Sequence, residues 1–124
     1  MSKLFNAGSL EQLDDPGTQG FELPDVETTG AAFFVIKKNA QVYAYRNKCP
    51  HTGAPLEWVP DQFLDLDNSF IQCAIHGALF RVGDGVCLRG PCAGQALSDL
   101  PVQQESGEFL VDVSALYNNQ AITD

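Results

Sequence analysis

All of the histidine in this chain stands beside cysteine. The sequence has 124 residues, with two histidines and four cysteines. It reads Cys49-Pro50-His51 and, farther on, Cys73-Ala74-Ile75-His76. Imidazole and thiolate are side chains that hold borderline-soft zinc or iron. A chain that commits its whole histidine complement to two such pairs must bring two short loops to one point. That demand constrains the fold more than any other feature.

The flanking residues narrow the chemistry. Gly53 follows His51 closely and Gly77 follows His76 at once. Glycine permits a tight turn and lets backbone N–H groups approach a ligand without a Cβ in the way. Gly90-Pro91 is a stiff turn able to close over a site. Cys-Pro-His-Thr-Gly, then Cys-Ala-Ile-His-Gly-Ala, then Gly-Pro, resembles the Rieske iron–sulfur family over about residues 45–92. The resemblance implies a [2Fe–2S] cluster, with Cys49 and Cys73 on one iron and His51 and His76 on the other.

Charge explains what that ligand set does. A cluster core with both irons ferric is doubly positive. Two thiolates neutralise it, and neutral imidazoles add nothing. An all-cysteine cluster is left dianionic, and an electron enters it less readily. Centres with the mixed ligation therefore span roughly −150 to +300 mV, against about −400 mV for plant-type clusters. The resemblance further implies that the free imidazole nitrogens face solvent or a partner and titrate with redox state. Within the family, high-potential members have an additional cysteine in each loop, joined as a disulfide, and a serine after the His-Gly. This chain has Ala54 and Ala74 near those places and Ala78 at the serine position. The resemblance thus implies the low-potential, ferredoxin-like branch.

A structural zinc site is the competing reading, since Cys2His2 is a common tetrahedral set. Zinc pairs are usually segregated by type, whereas each pair here mixes cysteine with histidine. The other two cysteines, Cys87 and Cys92, match only a fragment of a plant-type ferredoxin pattern. They read as small buried residues or thiols, without a disulfide in a reducing compartment.

Length suits one domain spanning residues 1–124 with a single modest core. There is no apolar run of membrane-spanning length, and the first residues lack the apolar centre of a signal peptide, so a cytoplasmic location is expected. The net charge of −9 disfavours nucleic acid and anionic membrane as partners. Basic residues other than Lys3 fall between Lys37 and Arg89, and Arg46, Lys48, Arg81 and Arg89 bracket the ligand motifs. This predicts a mixed-sign collar on an acidic body, able to orient an encounter complex, or else scattered solvated charge.

The pattern of short strands and turns predicts an all-β chain, an antiparallel sandwich or barrel; the family resemblance implies the Rieske-like form of it, with a small cluster-binding subdomain. Residues 31–36 and 42–45 flank a polar turn over 37–41 and form a hairpin leading into the first ligand loop. Residues 69–72 form a short strand delivering the second. Residues 78–81 and 86–88 pair through Val82-Gly83-Asp84-Gly85, and 102–105 pairs with 109–113 through Ser106-Gly107. Helical content should be low, with short candidates at 9–15 and 114–119. Leu56 to Asn68 lengthens the gap between ligand pairs beyond the family's usual. It reads as a packed loop in which Trp58 and Phe63 cover the body, or as a partner-recognition element.

These residues point to a Rieske-type ferredoxin, a one-electron carrier between a flavin- or NADH-linked reductase and an oxygenase or similar acceptor. The alternative is a non-catalytic subunit or redox-sensing module of a larger complex. An enzyme with its own substrate is disfavoured, because no nucleophile or acid–base pair can be named. An oxygenase large subunit would need further ligands for a second iron, and both histidines are already committed.

Overall fold

A continuous apolar run, Phe33 to Ile36, lies at the centre of the molecule. The computed structural model describes residues 4–23, 31–48, 50, 56, 61–73, 77–90 and 93–116. Its strands are β1 (Leu4–Ser9), β2 (Gly17–Phe21), β3 (Phe33–Lys38), β4 (Gln41–Arg46), β5 (Phe70–Gln72), β6 (Leu79–Arg81), β7 (Cys87–Arg89), β8 (Asp99–Leu100), β9 (Val102–Glu105) and β10 (Glu108–Asp112). They form three antiparallel sheets, ordered β1-β10-β9, β2-β3-β4-β8 and β5-β6-β7. The all-β expectation holds.

Successive strand residues point to opposite faces, and in β3 both faces are covered. Phe33 and Val35 face one core with Ala7, Ala44, Phe109 and Val111. Phe34 and Ile36 face a second core with Tyr45, Phe63, Ile71 and Phe80. Phe33, Phe34, Val35 and Ile36 are all fully buried. The four-stranded sheet is therefore a shared wall between two interiors. Each such side chain contributes about 1.5–3 kcal/mol on leaving water.

The β3–β4 hairpin is tighter than the polar turn expected over 37–41. Lys38 pairs with Gln41, so the turn is Asn39-Ala40 alone. Both residues have positive φ, 54° and 64°, as in the mirror-image turns that match strand twist. Alanine is a poor residue for that conformation. The Asp15 carboxylate compensates by accepting from the Asn39 and Ala40 N–H groups, each at 2.8 Å.

β1, β2 and β8 were not expected from the sequence. β2 contains two glycines, which weaken strand propensity. Gly20 is required by packing, because a Cβ there would lie 2.8 Å from the Ala31 Cβ. The helical candidates shrink to a 3-10 turn at Leu10–Gln12 and one turn at residues 114–116; residues 117–119 lie outside the described residues.

The long segment between the ligand pairs packs as expected at Phe63. That ring is fully buried and stacks on Phe34, with centroids 4.2 Å apart and planes 7° apart. Trp58 lies outside the described residues. Asp61 reaches the outer edge of β2: its Oδ1 accepts from the Gly20 N–H at 2.8 Å, and its carbonyl accepts from the Thr18 hydroxyl. Tyr45 ties the wall to the third sheet, donating from its hydroxyl to Val82 O at 2.6 Å. Burial, then the Asp84 and Asp99 carboxylates and Tyr43, pushes its pKa up, so the hydroxyl stays a donor.

Candidate metal centre

β5 delivers Cys73, whose side chain is fully buried beside Ile71, Ala78 and Phe80. The chain then turns back into β6, and the neck of that turn is closed twice. The Gly77 N–H donates to Cys73 O at 2.8 Å, and the Cys73 N–H donates to Ala78 O at 2.9 Å. Gly77 adopts φ 68°, the left-handed conformation that glycine accepts without strain. The backbone on either side of residues 74–76 is thereby pinned at Cys73, Gly77 and Ala78.

The first ligand motif leaves β4. Its root is Asn47, a buried residue, followed by exposed Lys48. It returns to the body at Leu56, fully buried in the same core as Cys73. Leu56, after the first motif, and Cys73, at the start of the second, therefore share one hydrophobic root. The third element is Gly90, at the end of β7. A Cβ there would lie 2.9 Å from the Ala78 Cα and 3.0 Å from its Cβ, and φ is 110°. Only glycine lets this segment close against Ala78.

Of the four ligands expected from the sequence, the described residues include Cys73. Cys49, His51 and His76 lie outside them, as do Ala54, Ala74 and Cys92. Among the described residues no three His, Cys, Asp or Glu side chains converge. Cys73 and Cys87 are buried and in no disulfide, and Cys87 is the small core residue expected. Cysteine at a closed neck, with Ala78 behind it and a glycine cradle beside it, fits a cluster held by thiolate at its buried end.

The expected basic collar divides. Lys48 and Arg89 are exposed, and Arg89 pairs across from Leu79 at the end of the sheet nearest Gly77. Arg81 stands instead by the β6–β7 turn, where its guanidinium grips Asp84 through two bonds of 2.9 and 2.6 Å. That contact holds the Asp84 carboxyl below its ordinary value and raises the Arg81 pKa. Sequence reasoning missed Asn47, Asp15 and Asp61. The signal available for Asn47 was a polar residue between a strand and the first cysteine.

Known proteins resemble this chain in sequence and in fold. A chain similar over most of its length is the 3-phenylpropionate/cinnamic acid dioxygenase ferredoxin subunit of Photorhabdus laumondii, 28% identical, covering 92% of this chain and 97% of that protein. The fold is similar to the ferredoxin of carbazole 1,9a-dioxygenase from Nocardioides aromaticivorans IC177, with TM-score 0.68, 24% identity, and coverage of 90% of this chain and 98% of that one. It is also similar to a chain in a complex of reduced oxygenase and oxidized ferredoxin in carbazole 1,9a-dioxygenase, with TM-score 0.67, 23% identity, and coverage of 90% and 94%. No helix among the described residues is long and apolar enough to cross a membrane. The Rieske [2Fe-2S] domain profile matches residues 7–107; the chain belongs to the Rieske [2Fe–2S] domain family, and a [2Fe–2S] cluster is its cofactor.

Proposed function

We propose that the chain is a Rieske-type ferredoxin. It carries single electrons from a flavin- or NADH-linked reductase to an oxygenase or similar acceptor, as one domain in the cytoplasm. Cys49 and Cys73 hold one iron, and His51 and His76 hold the other. The observation carrying this reading is mutual coverage: a dioxygenase ferredoxin subunit aligns over 97% of its length with 92% of this chain.

The cluster supplies a one-electron couple when bound. The chain's own residues hold its surroundings still. The closed neck at Cys73, the Gly90 contact and the shared root at Leu56 leave little that must move as charge changes. Exposed Lys48 and Arg89, each flanking a motif in the sequence, are basic groups with which the acidic molecule can meet an acidic partner surface.

Electron paramagnetic resonance of the dithionite-reduced protein is the direct test. A spectrum of a paired-iron centre with nitrogen ligation on one iron supports the ligand set, and a colourless zinc protein overturns it. Rapid mixing then tests the role. Reduction by an NADH-linked flavoprotein and quick reoxidation by a ring-hydroxylating oxygenase are expected, whereas a stable stoichiometric complex without turnover would point to a non-catalytic subunit. With alanine at position 78, which cannot donate a side-chain hydrogen bond to cluster sulfur, the midpoint should fall below zero on the hydrogen scale.

A further inference from the structure

Asn47 is the one buried residue of polar type among the described residues. Its carboxamide is engaged at both ends. Nδ2 donates to Ala31 O at 2.9 Å, and Oδ1 accepts from the Leu56 N–H at 2.8 Å. Its own N–H donates to Ala32 O at 3.1 Å. Ala31 and Ala32 lead into β3, the wall between the two cores. Asn47 is the entrance of the segment that contains Cys49 and His51, and Leu56 is its exit. A single side chain thus ties entrance and exit to the wall and to each other.

The chemistry selects this residue type. The site needs one donor and one acceptor on a short rigid plane, and a primary amide supplies both. Aspartate would keep an acceptor for the Leu56 N–H but set a second oxygen against Ala31 O. An apolar residue would leave a buried N–H and a buried carbonyl without these partners, each a desolvation penalty. The tie also has a lever arm. The Leu56 side chain packs in the core that holds Cys73, so a shift of the loop exit disturbs the packing around that cysteine.

Resting on the ligand set proposed above, we infer that Asn47 is a positioning residue for the cluster: it fixes the finger bearing Cys49 and His51 relative to the finger bearing Cys73 and His76. Groups just outside a ligand shell act in this way, orienting ligands and limiting their escape.

The test compares the cluster-loaded wild type with Asn47→Ala, Asn47→Asp and Val111→Ala, the last thinning the core on the opposite face of β3. The readouts are iron release to a chelator, the resonance spectrum of the reduced protein, and amide exchange in the peptide containing Leu56. Asn47→Ala should release iron about 10–100-fold faster, broaden the spectrum and deprotect the Leu56 amide. Asn47→Asp should keep that amide protected and still release iron faster than wild type. Val111→Ala should melt earlier with release unchanged. If Asn47→Ala does not fold, Asn47→Asp and its exchange pattern decide the matter. Wild-type release and spectra in the Asn47 variants, or equally fast release from Val111→Ala, would overturn the inference alone. A wild type without paired iron would overturn the ligand assignment together with it.

Discussion

Against one face of β3, at Phe33 and Val35, lies an interior of Ala7, Ala44, Phe109, Val111 and their neighbours. Against the other, at Phe34 and Ile36, lies an interior that includes the Cys73 and Cys87 thiols and the small Ala78. The first is enclosed by long registers: β1 follows β10 from Leu4↔Asp112 to Ser9↔Glu108. The second is roofed by β5, β6 and β7, strands of three residues each. So few ladder bonds cannot order a sheet in water. Order on that side comes from plugs inserted by loops (Leu56 and Phe63) and from the Tyr45 tie. The region proposed to hold the cluster is, among the described residues, the sheet with least strand pairing of its own, and its rigidity is borrowed from the wall.

The largest expected effect breaks the comparison outright. Cys73→Ala should abolish the visible absorption of the cluster while far-ultraviolet circular dichroism keeps the β signature. If the β signature is lost as well, the two interiors are not separable. Next, Phe33→Ala and Phe34→Ala should each cost about 3–5 kcal/mol in denaturant unfolding. They should differ in cluster retention: Phe34→Ala loosens the Phe63 stack and speeds iron release, whereas Phe33→Ala leaves it alone. Equal release from both would show one undivided core.

Gly90→Ala sharpens the contrast at smaller scale. The methyl group would press on Ala78, and the residue would be held at an unfavourable φ, at a cost of about 1–3 kcal/mol. Hydrogen exchange should rise across residues 77–90 and stay unchanged in β10. The smallest effect belongs to Asp84, an exposed group. Its depressed pKa means that the Arg81 contact stabilises the folded chain above the ordinary carboxylate range, and this is lost as pH falls through the folded-state value. The melting difference between Asp84→Asn and the parent should be slight at neutral pH and vanish in acid.

Much of this was legible in the residues. Hairpins whose apolar stretches meet at a local turn signal, such as β6–β7 through Val82 to Gly85, declare themselves because turn and strands are neighbours in the chain. β1 did not: Leu-Phe-Asn-Ala-Gly-Ser has weak strand character, and its partner is β10 at the far end of the sequence. β2 was hidden by Gly20, a residue that lowers propensity yet is demanded by Ala31. The metal-binding family was legible because cysteine and histidine carry their chemistry in their identity. Asn47, Asp15 and Asp61 were not, because an amide or carboxylate gains its role from the backbone groups that tertiary folding sets before it.

The carboxylate of Asp61 on the rim of β2 also bears on how copies of this molecule meet. An uncovered ribbon edge is a template on which a sibling chain can lay a further strand, and then another. Along β2 the Gly20 amide is already engaged, and fixed negative charge faces any incoming row of carbonyls. A second copy therefore meets an occupied amide and a carboxylate at that rim, which hinders the laying of a strand there.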